Sequence, residues 1–121
     1  MTDSQDLFTF RREGEYWTIA YQGNVLRLRD RKGLQYLAHL LHHPGEYYSV
    51  LDLSSWAGGP KPLDESSREQ ARTAVTKRLK AALQKISTHD AQLGFHLSTR
   101  IKTGYRCAYL PGPEGPITWS E

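Results

Sequence analysis

Between positions 68 and 106 the chain gathers side chains suited to holding a polyanion. Nine are basic (Arg68, Arg72, Lys77, Arg78, Lys80, Lys85, Arg100, Lys102 and Arg106), against two acids, Glu69 and Asp90. The whole protein carries a formal charge of +3, so the remainder is net acidic. A basic block on an acidic body is the electrostatic footprint of a phosphate-rich partner. Thr73, Thr76, Gln84 and Tyr105 lie among these cations and add hydrogen-bonding tips. A merely solvated helix face carries similar charges, so the elements that position them have to decide.

Residues 65–86 read as one long helix. Ala71, Val75, Leu79, Ala82, Leu83 and Ile86 fall on one side at 100° per residue. Thr73, Lys77, Lys80 and Gln84 then fall on the opposite side, with Arg72 and Thr76 at one border of the apolar stripe and Arg78 at the other. Residues 100–110 read as a hairpin turning at Thr103-Gly104, with Arg100 and Lys102 on one strand face and Arg106 just past the turn. A helix fits the DNA major groove, where an Arg fork can pair with guanine and discriminate by ~1–3 kcal/mol. That role suits Arg72, with Thr73, Thr76 and Lys77 beside it. Lys80 and Gln84, further along, suit phosphate, while Arg68 adds charge at the helix start. Arg100, Lys102 and Arg106 suit phosphates or a narrow minor groove, with Tyr105 adding a hydroxyl or packing beneath them.

The rest of the chain supplies a scaffold in a definite order. Phe8 and Phe10 alternate with Thr9 and Arg11; Trp17, Ile19 and Tyr21 share a face, as do Leu26 and Leu28. With turns at 12–15 and 22–24, this predicts three antiparallel strands. From Asp30, a good N-cap, the period lengthens to that of a helix carrying Leu34, Leu37, Ala38 and Leu41, broadened by Tyr36 and Leu40. Pro44-Gly45 stops it. Ser49 can cap a short second helix with Val50, Leu51 and Leu53, ending in Trp56, which is expected to close the core. Asp90 can cap an extra short helix through Leu93, Phe95 and Leu97, and residues 117–119 can add a last strand. The fold class expected is α+β: an N-terminal antiparallel sheet, three main helices, an extra short helix and a C-terminal hairpin wing. The chain of 121 residues favours one domain over 1–121, with a flexible 1–6, a sheet over 7–29, a helical core over 30–98 and a wing over 99–119.

In this order the residues resemble a winged helix-turn-helix DNA-binding domain of the OmpR/PhoB response-regulator type. That family has a sheet before its first helix, and an Asn-Pro-Gly link to a Ser-initiated second helix with a late Trp-Gly. His43-Pro44-Gly45, Ser49, Leu51, Leu53 and Trp56 are similar, with Ala57 intervening before Gly58. Lys77-Arg78-Leu79-Lys80 with Leu83 resembles its recognition helix, and Gly104-Tyr105-Arg106 resembles its wing. The segment 87–98 departs from the pattern by inserting a helix, and no receiver domain accompanies the likeness. The resemblance implies a double-stranded DNA partner and a role in transcription regulation. The alternative is a winged helix that docks only proteins. The N-terminal sheet, with an outer face and a free edge, is where a protein partner or second copy would sit; two copies would read paired half-sites.

Other chemistries find less support. His39 and His43 are i and i+4, a spacing that can share Zn²⁺, but no Glu follows His39 and no third ligand is near, so they read as surface histidines and no metal or other cofactor is expected. Cys107 has no nucleophile signature and no disulfide partner. Ser54 and Ser55 join no evident triad, and Gly58-Gly59-Pro60 lacks the Gly-Lys-Ser/Thr of a phosphate loop. The aromatic strands could suggest an RNA-binding sheet, but their alternation is that of a core face. No enzyme is expected. No apolar run approaches the ~18 residues of a membrane span, and residues 1–6 are unlike a signal peptide. A cytoplasmic protein with no membrane partner is therefore expected.

Overall fold

Period-two alternation builds an antiparallel sheet from β1 (Phe8–Glu13), β2 (Tyr16–Tyr21) and β3 (Asn24–Arg29), in the order β1-β2-β3. The structure, a computed structural model, describes residues 8–56, 65–110, 112 and 119, with side chains for 8–53, 68–110, 112 and 119. Gln22 and Gly23 both take positive φ, 51° and 88°, between the paired Tyr21 and Asn24. Such a two-residue turn matches the twist of its strands. Phe10, Trp17, Ile19, Tyr21, Leu26 and Leu28 turn into the core, as their spacing predicts. Trp119 is buried against Phe8, Phe10 and Tyr21. Residues 117 and 118, expected to precede it in a strand, lie outside the described residues.

Helix α1 (Lys32–Leu41) buries the predicted stripe of Leu34, Leu37, Ala38 and Leu41, with Tyr36 and Leu40. Asp30 does not cap it. The cap position is Arg31, without a side-chain bond. Asp30 instead ties sheet to helix: its Oδ1 accepts from Trp17 Nε1 at 2.7 Å, Gln35 Nε2 donates to both oxygens, and Arg12 pairs with it at 2.9 Å. One carboxylate serving three donors is worth more here than a frayed helix start. Next come β4 (Tyr48–Ser49), an unexpected strand, and α2 (Val50–Trp56). Ser49 Oγ accepts from Asp52 N at 3.1 Å, the expected cap. The expected core role of Trp56 lies outside the described side chains.

Helix α3 (Glu65–His89) runs nearly a turn beyond the expected end and meets α4 (Ala91–Arg100), which Asp90 caps through Leu93 N at 3.1 Å. The expected extra helix is thus present and, at ten residues, as long as α1. Of its expected apolar residues Leu93 and Leu97 are buried, whereas Phe95 is 71% exposed. Two glycines set the helix approaches. A Cβ on Gly33 would lie 2.2 Å from the Arg78 carbonyl oxygen, and one on Gly94 would lie 1.8 Å from Ser87 Oγ. Strands β5 (Ile101–Lys102) and β6 (Arg106–Tyr109) form the C-terminal hairpin, and β4 adds to it in the order β4-β6-β5. The architecture is mixed α+β, with four helices and two small sheets among the described residues. None of those helices is long and apolar enough to cross a membrane.

Candidate nucleic-acid interface

Three faces of α3 follow from its sequence. Ala71, Val75, Leu79, Ala82, Leu83 and Ile86 are buried, as expected. On the opposite face Thr73, Lys77, Lys80 and Gln84 are exposed, and Arg78 and Lys85 are exposed along one border. Among the described residues no carboxylate forms an ion pair with Lys77, Arg78, Lys80 or Lys85. Like charges i and i+3 or i+4 apart on a helix repel one another. This face therefore gains from any anion laid along it.

The first turns of α3 meet the hairpin. The Tyr105 hydroxyl donates to Glu69, and Glu69 also accepts from Arg72 Nε at 2.9 Å. The guanidinium carbons of Arg68 and Arg72 lie 5.3 and 5.5 Å from the centre of the Tyr105 ring. Cations stacked on an aromatic face are attracted by its quadrupole. Bonds from Arg72 and Tyr105 hold the Glu69 carboxyl below its ordinary range, and donation to that carboxylate raises the Tyr105 phenol. The backbone joins the same corner, since Val50 N donates to Tyr105 O at 3.0 Å.

The structure thus brings Arg68, Arg72 and Tyr105 together, and sets Thr73, Lys77, Lys80 and Gln84 on one open face beside them. Lys102 is exposed on β5. Arg106, at the start of β6, places its guanidinium 5.7 Å from the Tyr47 ring. Two expectations change. Thr76 is half-buried and its Oγ1 is shut off from solvent with no hydrogen-bond partner among the described residues, so its hydroxyl points away from the open face. Arg100 is the last residue of α4 rather than a strand residue, beside Tyr21, Gln22, Phe95 and His96, while its carbonyl accepts from Leu110 N at 2.8 Å at the base of the hairpin. A cation in the last turn of α4 suits the helix dipole. Arg100 thus precedes β5, which carries Lys102.

The chain matches no protein-family model, and no curated protein or solved structure is significantly similar to it. The geometry must carry the functional argument. Glu69 and Tyr47 were not among the residues the sequence singled out. The i, i+3 spacing of Glu69 and Arg72 was a visible signal. The reach of Tyr105 across 36 positions was not.

The histidine pair and Cys107 are the other residues weighed from the sequence. The His39 and His43 rings lie 4.7 Å apart, tilted by 41°, and His43 Nδ1 donates to the His39 carbonyl at 2.7 Å. Rather than standing free on the surface, both are half-buried against Tyr48, and burial followed by the neighbouring His43 lowers the His39 pKa. Among the described residues no group of three His, Cys, Asp or Glu is placed to hold a metal. Cys107 is fully buried, and burial pushes its thiol up, which keeps it protonated and unreactive.

Proposed function

We propose that the protein binds double-stranded DNA as a winged helix-turn-helix of the OmpR/PhoB kind. In this reading α2 and α3 are the helix pair, α3 enters the major groove and the β5–β6 hairpin is the wing. The observation that carries it is the run of exposed Lys77 and Lys80 between Thr73 and Gln84, without an ion pair among the described residues, flanked at the start of α3 by the hairpin that bears Lys102, Tyr105 and Arg106. Support also comes from β4, which joins the segment between α1 and α2 to the hairpin and so holds wing and helices as one unit. Regulation of transcription is the biological role such binding would serve, in the cytoplasm and without catalysis.

The test is a duplex titration of Lys77→Ala/Lys80→Ala across salt concentrations. Each lost phosphate contact removes about one unit from the slope of log K against log salt. Weaker binding with a slope shallower by about two is expected. A folded double variant with unchanged affinity and slope would refute the assignment.

A second reading, contact with another protein or a second copy, is favoured by one observation: Val25, on β3 at the sheet edge, is 65% exposed. This surface differs from the α3 face, so both uses are compatible. Sedimentation that shows only monomer at high concentration, with and without DNA, would exclude self-association.

A further inference from the structure

A second concentration of cations lies on the other flank of α3, far from the hairpin. Arg27, Arg29 and Arg31 alternate along and just past β3, and strand periodicity directs them to the same side. Lys85 and His89 are i and i+4 near the end of α3 and share one helix face. The two rows close a groove of roughly 170 Å³, floored by Leu28, Leu34 and Ala82, and among the described residues no carboxylate lines it. Arg27 has a partner, with its guanidinium 5.4 Å from the Tyr16 ring and within electrostatic reach of Glu13. Among the described residues Arg29, Arg31 and Lys85 form no ion pair. Arg27, Arg29, Arg31 and Lys85 converge on one concavity and, as like charges, repel one another. Guanidinium forks and an ammonium around a concave floor are the donor set that grips phosphate oxygens.

We propose that this groove is a second phosphate-binding site, taking backbone phosphates of the same duplex on the flank of α3 opposite the hairpin. The inference rests on the DNA reading for its occupant. Lys85 lies about 24 Å along α3 from Glu69 at ~1.5 Å per residue, twice the ~12 Å width of a major groove. The groove therefore holds phosphates outside the stretch that the start of α3 would read, and it lengthens the footprint. The Arg29 and Arg31 guanidiniums and the Lys85 ammonium supply the contacts, with His89 beside them.

The experiment compares wild type, Arg29→Gln/Lys85→Gln and the control Arg11→Gln, each checked for folding by circular dichroism. Binding to a duplex of about 25 base pairs is measured across salt concentrations, and amide NMR follows addition of inorganic pyrophosphate. The proposal expects the double variant to bind duplex several-fold more weakly with a salt slope shallower by about two, while the control is unchanged. Wild-type affinity and slope in the double variant overturn it. If wild type binds no duplex, the DNA reading fails and the two claims separate. The groove then stands as a site for free phosphate esters if pyrophosphate shifts the Arg29 and Lys85 amides in wild type but not in the double variant. It falls if those amides stay still.

Discussion

The Tyr105 hydroxyl donates to the carboxylate of Glu69, which joins the tip of the C-terminal hairpin to the first turns of α3 across 36 positions of sequence. Arg72 is held by the same carboxylate and lies over the Tyr105 ring. An anion from outside must compete with Glu69 for both groups. On the DNA reading proposed above, Glu69 would stand where a phosphate contacts these two groups.

Replacing Glu69 with Gln is accordingly expected to strengthen duplex binding, by about three- to tenfold, because it removes a negative charge from a basic rim. Fluorescence anisotropy with a labelled duplex measures this. Affinity equal to or below wild type would show that Glu69 does not compete.

The same contact has an acid limit. Glu69 has a lowered pKa, so the link is complete above the ordinary carboxylate value of 4.5 and is lost as pH falls through the depressed folded value. Tyr105 has a raised pKa, so its donation persists below the ordinary phenol value of 10.0 and is lost as pH rises through the folded value. The Tyr105 ring resonances should stay constant across neutral pH and move at both extremes. Movement near pH 7 would contradict the contact.

Between the open face of α3 and the hairpin, discrimination and attraction should separate by residue. Arg106→Ala is expected to lower affinity for every duplex by a similar factor, because phosphates recur at each step. Thr73→Ala should change which sequences are retained from a random library. The division of labour is wrong if Arg106→Ala alters sequence preference and leaves nonspecific affinity intact.

Stability should be most sensitive where single atoms join elements. Asp30→Ala strips partners from Trp17, Gln35 and Arg12, and hydrogen bonds to a charged group are worth about 1.5–3 kcal/mol. Gly33→Ala drives a methyl into the Arg78 carbonyl, an overpacking cost of about 1–3 kcal/mol or more. Urea denaturation followed by tryptophan fluorescence reads both. A Gly33→Ala protein as stable as wild type would mean that α1 and α3 can move apart freely.

Much of this protein was legible from local pattern. Alternation at Trp17, Ile19 and Tyr21 and at Leu26 and Leu28, the turn at Gln22-Gly23, and the caps at Ser49 and Asp90 all depend on neighbours a few positions away. So does the division of α3 into a buried stripe and a basic face, which 100° per residue dictates. What only the tertiary structure decided are relations between distant residues. Asp30 is a good helix cap by type, but the approach of Trp17 and Arg12 redirects its carboxylate. Arg100 fits a strand by type, but α4 ends on it and β5 begins only at Ile101. Thr76 turned its hydroxyl inward, Tyr105 found Glu69, and β4 formed because β6 arrived beside it. The groove between β3 and α3 likewise exists only because two cationic rows, more than fifty positions apart, come to face each other. Short-range sterics and hydrogen bonding are encoded in neighbouring residues, whereas the partner of a long side chain depends on which surfaces the packed core brings within its reach.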